Sequence, residues 1–143
     1  MSIRFEVKNK NESKTVSFDI GYITFFKFRQ TLATMVDEMA GYVYGRYIHS
    51  QFTFLPDSIL KVSPSEWGYF KLKTPPVLQK FLLASDCGGK LTSTECNKLY
   101  SILTKAVGKT DKTKLDKKFL QLFDDFSKCL LYATEHKTNL VWY

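Results

Sequence analysis

Residues Ala84–Glu95, ASDCGGKLTSTE, read as a corner between two helices, and that reading decides the fold. Gly89 makes a sharp turn, Leu91 offers an apolar side chain to a core, and Thr92 with Glu95 has the S/T-x-x-E spacing of a capping box. Cys96, Leu99, Leu103 and Val107 follow at helical spacing until Gly108. Upstream, Thr74-Pro75 is a cap and first-turn signal, so a helix is predicted from Pro75 to about Ala84, packing through Val77, Leu78, Phe81 and Leu82.

Working outward, Leu115, Phe119, Leu122, Phe126, Cys129 and Ala133 alternate steps of four and three, the strongest helical pattern in the chain. Toward the N-terminus, Ile3, Phe5 and Val7 alternate with polar residues, as do Val16, Phe18 and Ile20. The polar KNKNES lies between the two runs, which predicts a half-buried hairpin. Phe25, Phe28, Leu32, Met35, Val36 and Met39 then predict a long helix ending near Gly41, with Arg29, Asp37 and Glu38 off its apolar stripe. Between Tyr42 and Lys73 the breakers Gly45, Pro56, Pro64 and Gly68 are mixed with aromatics that include Phe52 and Phe54. Short strands and an ordered loop fit that segment equally well. The apolar ending LVWY suits a strand joining the hairpin. The expectation is one α+β domain over residues 1–143, about four helices packed on a small, mainly antiparallel sheet.

Composition narrows the class. The chain has 143 residues, 44% of them hydrophobic, with 12 Phe, 8 Tyr and 2 Trp, which is enough to bury a core without disulfides or metal. No apolar run approaches the roughly 18 residues of a membrane span, and the start, MSIRFEVKNKNESK, lacks the apolar core of a secretory signal. Cys87, Cys96 and Cys129 are odd in number and are read as reduced thiols, so a cytoplasmic protein is expected, with no membrane partner. A formal charge of +7 suits nucleic acid, anionic lipid or an acidic partner protein. The basic residues are mostly lysine. Arg4, Arg29 and Arg46 are the only arginines, which weakens the case for bidentate readout of nucleic acid.

The opening stretch also resembles a twelve-residue EF-hand calcium loop flanked by helices. Its third, sixth, eighth and twelfth positions are Asp86, Gly89, Leu91 and Glu95, whereas the first and fifth are Ala84 and Gly88, which have no side-chain oxygen. Asp86 and Glu95 are the remaining candidate ligands, and with two carboxylates missing the expectation is a corner without a metal or cofactor. A vestigial, metal-responsive module is the third functional reading. A wider resemblance covers ASDCGGKLTSTEC, and more loosely GYITFFKFR and CLLYATEHKTNLVWY. These are similar to small uncharacterised proteins of phages, prophages and bacteria that carry an HSDCDG…SPEEC segment. That resemblance implies a phage or mobile-element setting, in which small proteins often bind and alter a host protein.

The two histidines, His49 and His136, sit in no metalloprotease, nucleophile-elbow or phosphate-loop motif, so the chemistry leans away from an enzyme. The leading expectation is a non-catalytic interaction protein that binds a host or defence-related protein through Tyr44, Arg46, Tyr47 and Trp67, residue types that dominate interface energetics. The alternative is a nucleic-acid-binding accessory protein using Lys105, Lys109, Lys112, Lys114, Lys117 and Lys118 for phosphates and aromatic rings for stacking.

Overall fold

A computed structural model describes residues 2–9, 11, 13–52, 62–86 and 88–143. Phe54, Pro56 and Cys87 lie outside the described residues, as does the side chain of Phe52. The hairpin forms as its alternation predicts. Strands β1 (Ser2–Asn9) and β2 (Lys14–Gly21) pair antiparallel in register from Ser2 opposite Gly21 to Asn9 opposite Lys14, and Ile3, Phe5 and Val7 turn inward. The C-terminal strand also forms. Leu140–Trp142, labelled β4 in chain order, pairs antiparallel with β1, setting Phe5 opposite Trp142 and Val7 opposite Leu140. A short strand absent from the sequence reading, β3 (Gly89–Leu91), completes a four-stranded sheet of order β2-β1-β4-β3.

Six helices stand among the described residues, two more than the sequence pattern indicates, because residues 42–52 and 64–73 are helical where short strands or an ordered loop were expected. Helix α1 (Tyr22–Val36) stops at Asp37, not at Gly41. The extended backbone of Asp37 lets its carboxylate accept the Ala40 N–H at 2.9 Å and start α2 (Glu38–Phe52). This break shifts the helical phase. Met39, expected on the buried stripe, is exposed, while Ala40, Val43 and Tyr44 are buried. Gly41 and Gly45 are contact points rather than breakers. A Cβ on Gly41 would collide with Thr34 and one on Gly45 with the Gln30 side chain, so α2 lies close against α1. Helix α3 (Pro64–Lys73) opens with Ser63 and Glu66 in a full capping box and Pro64 in the first turn.

Helix α4 (Pro76–Leu83) matches its prediction, and α5 (Ser93–Lys109) opens on the predicted box, with Glu95 N–H donating to Thr92 Oγ1 at 3.2 Å. After a 3-10 turn at Lys112–Lys114, α6 (Lys117–Glu135) is capped by Asp116 and buries Phe119, Phe126, Cys129, Leu130 and Ala133. Helix α6 packs on the sheet and on α5, and α3 packs on α2.

Phe5 sits where these layers meet. Its ring stacks on Phe18 at 4.9 Å and on Trp142 at 5.4 Å, and meets Phe25, Phe81 and Phe126 at 5.5–6.3 Å. Trp142 extends this cluster to the opening stretch. Its Nε1–H donates to Ser85 O at 3.0 Å, and its indole covers Gly89 so closely that a Cβ there would overlap the ring. Gly89→Ala should therefore lower stability by about 1–3 kcal/mol through overpacking. Chemical denaturation with an unchanged m-value is the measurement.

Candidate functional site

The corner at Ala84–Glu95 is built for packing. None of the described glycines has a positive φ, so Gly89 does not make the turn as expected. It lies in β3 opposite Trp142, where glycine is needed for the indole's approach. Glu95 is fully engaged. Its carboxylate accepts the Thr92 N–H at 3.0 Å and Lys80 Nζ at 2.7 and 2.8 Å. The lysine contact foremost, then the Thr92 backbone bond, holds its pKa below the ordinary 4.5. Asp86 acts on a different partner, the Arg29 guanidinium. Among the described residues no group of three or more His, Cys, Asp or Glu side chains is placed to hold a metal. Cys96 and Cys129 are buried free thiols whose pKa values burial pushes up to about 11 and 12, as inert structural cysteines. His136 is taken up by Asn9 at 3.1 Å and by the face of Tyr132.

The four aromatic and basic candidates divide. Tyr44 is wholly buried and its hydroxyl donates to Leu82 O at 2.9 Å, so it is a core residue and not a contact surface. Burial pushes its pKa up to about 12. Arg46 pairs with Glu66, tying α2 to α3, and lies over the Tyr42 ring at 5.8 Å. Tyr47 and Trp67 meet at 5.1 Å, and Trp67 stacks on Phe70 at 5.0 Å, so both half-buried rings join α2 to α3. The six lysines are all exposed, at the end of α5, on the 3-10 turn and at the start of α6. They form a separate corner. Tyr47 and Trp67 stand on α2 and α3, whereas Lys118 lines a hollow with Lys27 and Phe28 of α1 and with Phe119.

Two features escaped the sequence reading. The first is an apolar groove of about 370 Å³ between α1 and α2, lined by Ile23, Phe26, Ile48, Lys27, Gln30 and His49. Ile23 is 73% exposed, so the groove has an uncovered apolar rim. The second is Arg29, expected off the apolar stripe and found only 2% exposed. Its guanidinium lies over the Phe25 ring at 4.0 Å and near that of Phe81 at 5.2 Å. Nε and Nη2 have no hydrogen-bond partner among the described residues, at a cost of about 1–3 kcal/mol for each unmet donor. Burial lowers its pKa, and Tyr44 and Asp86 oppose that shift. No sequence signal separates such an arginine from a solvated one at the edge of a helical stripe.

Because the folded-state pKa of Glu95 is depressed, its contribution is complete at neutral pH and is lost as pH falls through that lowered pKa. Glu95→Gln should reduce melting temperature at pH 7, and the difference from the parent should shrink below about pH 4. Excess calcium should leave the parent's melting temperature unchanged, whereas a saturable rise would establish a metal site. Comparisons with protein-family models, with curated proteins and with solved structures returned no match.

Proposed function

We propose that this chain is a non-catalytic interaction protein that docks an acidic-faced protein partner on the groove between α1 and α2. The observation that carries the reading is the exposed apolar rim at Ile23, continued by the half-buried Ile48 and with Lys27 beside it, on a chain of net charge +7. Apolar contact supplies binding energy and the positive rim selects an acidic surface and speeds encounter. Tyr47, next to Ile48 in sequence, meets Trp67 of α3 at 5.1 Å and so ties α2 to α3. Similarity to the phage and prophage group makes a host or defence-related protein the expected partner. No helix among the described residues is long and apolar enough to cross a membrane.

The lysine corner supports a second reading, nucleic-acid binding, since all six side chains are exposed within one stretch of chain. Asp111 and Asp116 dilute it, each used for capping there.

The two readings separate cleanly. Ile23→Asp places a charge on an exposed site, so circular dichroism and melting temperature should be unchanged, while capture of a specific partner from host extract, verified with the purified partner, should be lost. Lys112→Glu with Lys114→Glu should leave that capture intact. The reverse pattern, with single-stranded DNA binding that falls steeply with salt and disappears in the lysine variant, would replace the first reading by the second.

A further inference from the structure

The sheet order β2-β1-β4-β3 leaves β2 at one end, paired on one side alone. Arg4 exchanges both backbone hydrogen bonds with Tyr143, so its N–H and C=O point toward β4 and those of its neighbours Ile3 and Phe5 point toward β2. Carried through the β1–β2 register, Val16, Phe18 and Ile20 direct theirs at β1, and Thr15, Ser17 and Asp19 direct theirs outward. Among the described residues these outward backbone groups have no partner strand.

Such an edge is usually guarded by charge, proline or a bulge. Strand β2 pairs without a break over Lys14–Gly21 and contains no proline. Its two charged side chains are both drawn aside. Lys14 Nζ lies 5.6 Å from the Tyr132 ring of α6, and Asp19 pairs with Arg4 at 3.3 Å. Val16 and Phe18 turn to the core side opposite Val7 and Phe5, yet stay half-exposed where Val7 and Phe5 are sealed. The apolar layer therefore runs to the edge of the sheet and is left open there.

We propose that a second copy of this chain covers this edge, β2 pairing antiparallel with β2 about a two-fold axis normal to the sheet. In such an isologous contact the residue on the axis opposes itself, and Val16, Ser17 and Phe18 are the central choices. An axis at Val16 shortens the overlap and sets Phe18 opposite Lys14 of the second copy. An axis at Phe18 makes the two Asp19 carboxylates diagonal neighbours, which like charge opposes. At Ser17, Val16 of each copy meets Phe18 of the other, Thr15 faces Asp19, and like charges stand apart. The pairs that exchange both hydrogen bonds are then Ser17 with Ser17 and Thr15 with Asp19, whose backbone groups point outward. Charge near this edge is balanced, Arg4 by Asp19 and Lys8 by Glu6, so the excess of lysine does not oppose the contact locally. None of the residues lining the α1–α2 groove takes part, so this association and partner docking stand or fall separately.

Sedimentation of the parent chain between about 1 µM and about 1 mM should show monomer passing to dimer, the range for so small an interface. In a Cys87→Ser background, Ser17→Cys places two thiols at the axis with Cα atoms about 5.5 Å apart, within disulfide reach. Cys96 and Cys129 are buried and do not compete. Mild oxidation should link Ser17→Cys into a dimer at least about tenfold faster than Thr15→Cys, which is also exposed but stands roughly 13 Å along the strand from its own copy. Ser17→Lys, on the solvent face, sets like charges at the axis. It should abolish the dimer and leave circular dichroism unchanged. A chain that stays monomeric throughout, a dimer untouched by Ser17→Lys, or Ser17→Cys linking no faster than Thr15→Cys overturns the proposal. The two cysteine variants decide it even where Ser17→Lys perturbs the fold.

Discussion

The ladder between β1 and β4 is the constraint on which the rest of this structure depends, because it sets Phe5 against Trp142. Five rings from β2, α1, α4, α6 and β4 meet Phe5, so one side chain is in contact with elements from nearly every part of the chain. Burying each such ring contributes on the order of 1.5–3 kcal/mol, and the edge-to-face and offset contacts add to that. A slip of one residue in the ladder would turn Phe5 and Val7 to the opposite face and remove the common centre.

Trp142 also explains why a stretch with half the spelling of a calcium loop serves as a joint. The indole occupies the space above Gly89, its N–H bonds to Ser85, and Leu91 closes the sheet edge opposite Leu140. Glu95, the residue that would close around a cation, instead caps α5 and binds Lys80. Ion binding is replaced by aromatic packing at the same positions.

The sequence was most legible where a local rule acts alone. Thr92 and Glu95 cap a helix whatever surrounds them, the alternation at Ile3, Phe5 and Val7 needs only one buried face, and the stripe from Phe119 to Ala133 is unbroken. Ser63 and Glu66 have the same spacing and could have revealed α3. Elsewhere tertiary contact reversed the local meaning. Gly41 and Gly45 look like breakers but are small so that α1 and α2 can touch. Gly89 looks like a turn residue and is small so that Trp142 can lie across it. Arg29 illustrates the deepest limit on the candidate site. Its burial depends on rings from α1 and α4 and on a loop carboxylate more than fifty positions away in the chain, none of which spacing on its own helix can report. Tyr47 and Trp67 were legible only as separate aromatics of the middle segment, whereas their contact and the groove between α1 and α2 are products of helix packing.

The pairing of residues 5–7 with residues 140–142 has a further consequence for how the protein comes into being. During synthesis β1 and β2 emerge early and can zip together, but β1 keeps one edge of unpaired N–H and C=O groups until β4 has been made. The nascent chain therefore carries an open strand edge, next to the side chain that will organise the core, until residues 140–142 have been made. Sheet closure is a late, long-range event with a large loop-closure entropy, so contact order and not helix propensity should govern the folding rate.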